Sequence, residues 1–588
     1  METTKTNYYG ISCGGSSSKK GGQTSKATNP QYQNGYAMNK QAEIPSSQEI
    51  NSGNFSTDNA HLSQMHESEM EATDNLDSLV ANSIGRLIFE AGLEPEFIHL
   101  PSFEGVFDLL TRGVPIAMPT YEDILQVQLK EVQQRERALK QQWERNGCSL
   151  VLDRWTSRCG KNFISVLVHC SQGMQFIRSM DVSTIIDDVD ELASMVCQVV
   201  DEIGIRNIVQ IIINDASPYM QVVEHAVLKK YDHSFSITLC ADYCINLMLE
   251  DIAALDYVNE VLVKARRITR FIYGHALPME LKGHYIPGGE VISSSNLKYV
   301  ATFVTLENLV SQRANLVEMF SSQEWTSSDL ASTNLSRNIC EIIQSENAFW
   351  CAAADVLKIT GPLINVLFKL ETDKSSISVL YDAMDNAKEE IKESIGHNHN
   401  VYWKKIDNRW DNYLHSPLHA AGYSLNPRVY YSDRFCYDTE INSGMLTSIL
   451  RLAKSHHDAK FVSAQFDLYQ RKSGLFGSDT AGQEAMEMPQ VLLDLWWSKY
   501  GADTPELRCF ANRILSLTCF GASRYNIDNS LSERLHSETR SYPDQERFRK
   551  MEYIHYNLRL RNSVPRLGGP CEAVHGKLTT KLGDWISA

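Results

Sequence analysis

The chain has 588 residues, 43% of them hydrophobic, enough to core two or three domains and to exclude disorder along the whole length. A net charge of −16 excludes inferring nucleic-acid binding from bulk charge, so any such surface has to be a local patch. Thirteen Cys without a Cys-x-x-Cys pair point to a reducing compartment where thiols pack as small core residues, and no disulfide is expected.

Residues 1–61 hold no Leu or Val among many Ser, Gly, Asn, Gln and Thr, so they cannot bury enough apolar surface to offset chain entropy, and 1–75 is expected to be a flexible tail. No signal-peptide pattern opens the chain, and no apolar run reaches the ~18 residues of a membrane helix. A soluble intracellular protein without membrane contact is the expectation. From Ser78 to Ala91 the residues Leu79, Ile84, Leu87, Ile88 and Ala91 recur at helical spacing, with Gly92 placed to stop the helix. Tyr121 to Trp143 reads as a longer helix. Its mixed run Lys130, Arg135, Arg137, Lys140 and Arg145, interleaved with Glu131, Glu136 and Glu144, reads as a solvated face rather than a DNA patch.

Three strands are predicted next, Cys148 to Asp153, Phe163 to Cys170 and Gln175 to Val182, the last two joined by the hairpin signal Ser171-Gln172-Gly173. Leu192, Met195, Val196, Val199, Val200 and Ile203 mark an amphipathic helix closed by Gly204. A fourth strand, Ile208 to Ile213, precedes the N-cap and first-turn pair Ser217-Pro218, and a fifth spans Phe235 to Cys240. The order is β-β-β-α-β-α-β. Helical periodicity with few strand signals follows from Leu247 to Ile395, and further helices are expected at Val491 to Tyr500, Glu506 to Leu517 and Phe548 to Leu560.

The stretches LVLDRWTS, IIINDASPYM, CADYCINLMLEDI, RWDNYLHSPLHAAGYSLNP, LWWSKYG and YIHYNLRLRN resemble, in that order, the plant hAT-superfamily transposase-like proteins, over about Asn82 to Leu560. The resemblance implies an α/β fold: a ribonuclease H-like mixed sheet with a large all-α insertion and a helical C-terminal dimerisation region. The implied layout is a tail at 1–75, a helical lead-in of the domain-of-unknown-function type at 76–147, the core at 148–246, the insertion at 247–480, a dimerisation region completing the core at 481–562, and a tail at 563–588. Trp496, Trp497, Tyr553, Tyr556 and Leu558 are the dimerisation candidates, and packing inside one chain is the competing reading.

Transposases of this class cut DNA with two divalent metals on three carboxylates. The resemblance carries the first acid onto Asp153, with Arg154 standing where relatives have Gly. Relatives read Asp-Asn-Ala-Ser where this chain reads Asn214-Asp215-Ala216-Ser217, so the second position is a neutral Asn and Asp215 reads as a helix N-terminal acid. The family's Cys-x-x-His survives as Cys240 with Tyr243 in the histidine place, and Cys240 with Cys244 reads as core rather than zinc. Arg524 falls where the third acid belongs, so its guanidinium is expected near Asp153 or Asp215; Glu533 matches a non-catalytic family glutamate. His415/His419 and His456/His457 read as structural or exposed, and with Cys13 alone before Cys148 no BED-type zinc finger can form.

The expected function is therefore a transposase-derived, catalytically inactive nuclear protein acting through homodimerisation and association with DNA or chromatin, without metal or other cofactor. The alternatives are a protein-interaction scaffold without DNA binding, in the cytoplasm if not the nucleus, and an active transposase using Asp153, Asp215 and Glu533 with two divalent metals. A chain lacking residues 1–75 is expected to melt within roughly a degree or two of the full chain, since the tail buries almost nothing; differential scanning calorimetry of both checks this.

Overall fold

The structure is a computed structural model that describes residues 76–562, except 113–115, 287–290, 294, 296, 346–347, 373–374, 436–437, 454, 488–492, 523–528 and 538–541. The tails at 1–75 and 563–588 and the residue Arg524 lie outside the described residues.

Helix α1 (76–91) ends at Gly92, whose φ of 64° is the left-handed stop that the sequence predicts. Its buried stripe is Ala81, Ile84, Ile88 and Phe89, while Leu79 and Leu87 face solvent, a correction of the predicted face. After α2 (Pro101–Leu110), α3 (Tyr121–Asn146) begins in a capping box between Thr120 and Asp123. It ends at Gly147, where φ is 78° and an added Cβ would stand 2.5 Å from Val209 Cγ2, so only Gly fits.

The strands are β1 (Cys148–Thr156), β2 (Asn162–Cys170), β3 (Gly173–Asp181), β4 (Ile208–Ile213) and β5 (Ser236–Leu239), with α4 (Val189–Ile203) before β4 and α5 (Pro218–Lys230) before β5. They form one mixed sheet in the order β3-β2-β1-β4-β5, antiparallel across the first three strands and parallel from β1 through β5. The predicted β-β-β-α-β-α-β order is the observed one. Every residue of β4 is buried, as a central parallel strand covered on both faces requires.

The helical part continues with α6 (Ala241–Ala253), α7 (Asp256–Gly274), α8 (Ala276–Tyr285), α9 (Lys298–Ser311), α10 (Arg313–Met319), α11 (Gln323–Thr326), α12 (Asn334–Gln344), α13 (Ala348–Thr372), α14 (Leu380–Ile395) and α15 (His399–Arg409). Then come α16 (Pro417–Leu425), α17 (Pro427–Tyr430), α18 (Thr439–Leu452), α19 (His456–Gln470), α20 (Asp479–Glu487), α21 (Leu493–Tyr500), α22 (Pro505–Leu515), α23 (Ser530–Ser537) and α24 (Tyr542–Asn562).

Packing redraws the predicted boundaries. One core joins Leu150 and Leu152 of β1 to α4–α7, α9 and α13 and runs on to Leu414. A second joins Leu418 on α16 to Trp497 on α21 and Ile514 on α22, so no core boundary falls at 480. A third joins α1–α3 of the lead-in to α23 and α24. Helix α13 is long and apolar enough to cross a membrane by length and composition, although the sequence reading expected no such run; its Val356, Leu363, Leu367 and Leu370 are buried in the first core, and Pro362 lies within it.

Four of the dimerisation candidates are core residues of the single chain, and the fifth, Tyr553, is partly buried against it. Trp496 and Trp497 are 0% exposed, and their indole N–H groups donate to the carbonyls of Ala481 (3.1 Å) and Leu425 (3.0 Å). Tyr556 packs on Phe176, Leu558 lies in the third core, and the Tyr553 hydroxyl bonds Glu136 and Gln175. Large rings with one polar tip are satisfied here within the chain: Trp496, Trp497 and Tyr556 are enclosed, and Tyr553 is partly buried. Glu136 also pairs with Lys140, and Glu131 with Arg86 and Arg561, so two acids of the solvated run on α3 serve as internal ties.

Strand β3 is a sheet edge, and α24 covers it. Asn557 accepts from the Phe176 N–H (2.9 Å) and donates to the Phe176 carbonyl (2.9 Å), completing the strand with a side chain. Asn557→Leu leaves both groups buried and unpaired, so a loss of about 1–3 kcal/mol per group is expected, read as a lower midpoint in urea denaturation.

Candidate active site

Alternation along β1 sends Leu150 and Leu152 into the first core and Val151 and Asp153 to the opposite face, where Val151 packs with Ile212, Cys240, Tyr556 and Leu560. The β1–β4 ladder ends at the pair Leu152 and Ile213, one step before Asp153 and Asn214.

Asn214 continues the ladder with its side chain. Its Oδ1 accepts from the Arg154 N–H (2.7 Å), and its Nδ2 donates to the Arg154 carbonyl (2.9 Å) and to Asp153 Oδ1 (2.8 Å). An amide suits this place because it needs both a donor and an acceptor, whereas an ionised carboxylate only accepts. Asp215, beyond the strand, turns away. Its Oδ1 accepts from the Ser217 N–H (2.9 Å), next to the α5 N-terminus where Ser217 caps Met220, as the helix-acid reading predicts. Its Oδ2 forms an ion pair with Arg154 Nη1.

Asp153 thus stands next to an amide donor, not a cation. Burial, and after it the charge of Asp242, raises its carboxyl to about 7. Asp242, in the first turn of α6, is a buried acid that the sequence reading missed. Its only local signal is one carboxylate in an otherwise apolar run. Burial raises it, while hydrogen bonds from the Cys240 thiol and the Tyr243 and Gly521 backbone lower it. The Cys240 thiol is pushed well above its usual range by burial and then by Asp242, and it packs in the core. Cys244 is buried too and its thiol reaches the Arg409 carbonyl at 3.6 Å. Tyr243, in the histidine place, is half-buried; burial and then the charge of Asp215 raise its hydroxyl.

Glu533 on α23 accepts from the Arg158 N–H (2.5 Å), with Arg158 Nε at 3.8 Å, so it clasps the β1–β2 turn. On the Asp153 face a second missed acid appears, Glu552 on α24. It accepts from Ser532 Oγ and Ser179, and Ser179 Oγ lies 3.0 Å from Ser165 Oγ, opposite Asp153 in the ladder. Burial raises Glu552 to about 7. His415 pairs with Glu440 at 2.8 Å, His419 is buried and pushed down to about 4, and His456 and His457 are exposed.

These residues do not fit two divalent cations. An amide N–H points at Asp153, a guanidinium holds Asp215, and Asp242 accepts from a thiol; hard cations need charged oxygens free to ligate. Among the described residues no group of three or more His, Cys, Asp or Glu stands ready to share an ion.

Comparison with known families matches residues 115–268 to the Domain of unknown function (DUF659). No curated protein matches the chain. The DUF659 domain opens just before α3 and ends inside α7, so Asp153, Arg154, Asn214, Asp215, Cys240, Asp242 and Tyr243 all lie within it. Glu533 and Glu552 reach its sheet from outside.

A carboxyl at about 7 against a usual value near 4 means that the folded state holds a proton the unfolded state releases. Its contribution to stability is present below the unfolded value and is lost as pH rises to about 7. Asp153→Asn, which keeps the acceptor for Asn214, is expected to gain stability over the natural chain from pH 4 to 7 and then level off, by on the order of 1–3 kcal/mol. Urea titrations across that range read the difference.

Proposed function

We propose that this chain is a transposase-derived protein with a closed nuclease site, built on a ribonuclease H-like core and related to the plant hAT-like proteins in which DUF659 is found. Its role is carried by self-association and by association with DNA or chromatin in the nucleus, not by catalysis. The observation that carries the reading is the Arg154–Asp215 ion pair beside the Asn214–Asp153 hydrogen bond. Two-metal strand cleavage depends on cations that hold attacking and leaving oxygens between fixed carboxylates. Here the second position is neutral, and the neighbouring acid is neutralised by a guanidinium belonging to the protein. Charge compensation from within the chain also explains how acids persist at a sheet edge without mutual repulsion unfolding it.

The net charge of −16 favours one alternative, a scaffold that binds proteins and not DNA. Recovery of DNA and proteins bound to the tagged chain in nuclei separates the two: locus-specific DNA supports the proposal, and proteins alone support the scaffold.

Purified protein with magnesium or manganese on duplex DNA carrying terminal inverted repeats is expected to give no more nicking than Asp153→Ala does. Nicking by the natural chain that disappears in Asp153→Ala overturns the closed site.

A further inference from the structure

Helix α19 carries an apolar seam that is exposed among the described residues. Its inner face is Ala459, Val462, Phe466 and Tyr469. On the outer face His457, Phe461, Ala464 and Leu468 recur at the i, i+4, i+7, i+11 spacing of a helix-pairing seam, and all four are exposed. Phe461 is 44% and Leu468 45% exposed, although each is of a type that is ordinarily buried. The His457 ring packs edge-on against Phe461, with centroids 4.6 Å apart, which holds the ring on the surface. The preceding helix α18, which packs on α19, adds exposed Leu446 and Leu450. A run of such residues on adjoining helices is what an interface looks like before its partner arrives.

The charges on the seam say which partner. Lys460 and Asp467 are exposed, and neither is in an ion pair among the described residues. Two copies of α19 crossing antiparallel about a two-fold axis at Ala464 place the small residue at the point of closest approach. The same register brings Phe461 of each copy to Leu468 of the other, and Lys460 of each to Asp467 of the other. Both pairings satisfy one register because each residue and its mate stand nearly equally far from Ala464 on opposite sides. That is the self-complementarity an isologous contact requires.

We propose that the outer face of α19, flanked by Leu446 and Leu450 of α18, is a homodimer interface whose occupant is a second copy of this chain. The proposal rests on the self-association in the functional reading above and assigns it to a surface outside the predicted dimerisation region. The apolar pairs supply the affinity, and the exposed ion pairs set the register, because such pairs at a rim steer recognition more than they add strength.

Analytical ultracentrifugation of the full chain is the test. The natural chain is expected at twice its 66.5 kDa mass at micromolar concentration. Phe461→Glu with Leu468→Glu should weaken the dimer by at least about tenfold, with an unchanged far-ultraviolet circular dichroism spectrum because both side chains lie at the surface of the folded chain. Lys460→Glu alone and Asp467→Lys alone each place like charges at both pairs and should dissociate. Mixing these two variants restores an opposite pair at each position and should give a heterodimer. A dimer indifferent to all four substitutions overturns this surface while leaving self-association standing. A natural chain that is monomeric at micromolar concentration overturns both the surface and the self-association. Failure of the mixed variants to associate, with each folded, overturns the register.

Discussion

The parallel pairing of β1 with β4 ends one residue too early for the backbone to satisfy itself, and the side chain of Asn214 completes it. Three hydrogen bonds from one amide hold the Arg154 backbone and Asp153 together, so the group that continues the central ladder also ties down the Asp153 carboxyl. A carboxylate at 214 would lose the two donated bonds and add a charge beside Asp153, whose ionised form burial already disfavours. Asn214 is thus a structural residue of the sheet. With Arg154 turned to Asp215, the sheet edge is self-compensated.

The Asp153 face of the sheet depends on α24. It covers the β3 edge through Asn557, packs Tyr556 on Phe176, and carries Glu552 to the serines beneath Asp153. The same helix shares a core with α1–α3, so lead-in and C-terminus pack as one layer although nearly 400 residues separate α3 from α24. Contacts of that sequence separation close large loops, and they have to be stabilised by burial on the scale seen for Ile554 and Leu558.

Enclosed aromatic rings offer a partner little, whereas residues that are apolar and exposed are free to be covered. Trp496 and Trp497 are common interface anchors by type, yet each indole N–H is satisfied within the chain and each ring is enclosed. Phe461 and Leu468 are less conspicuous in the sequence, but they face outward at matched spacing with a complementary charge pair beside them.

Local physics was legible in the sequence. Alternation and apolar runs located the five strands to within a few residues, Ser171-Gln172-Gly173 marked the hairpin, Gly92 and Gly204 the helix ends, and Ser217 the α5 cap, because each signal acts between near neighbours. The place of Asp215 at the N-terminus of α5 was also readable there. The tertiary structure alone decided that Arg154 is the cation on Asp215, that Asp242 and Glu552 converge on the Asp153 face, and that Glu533 holds Arg158. It alone decided which side of α1 and α19 is covered and which tryptophans are enclosed. Those outcomes are contacts between residues far apart in the chain, and periodicity says that a face exists without saying what lies against it.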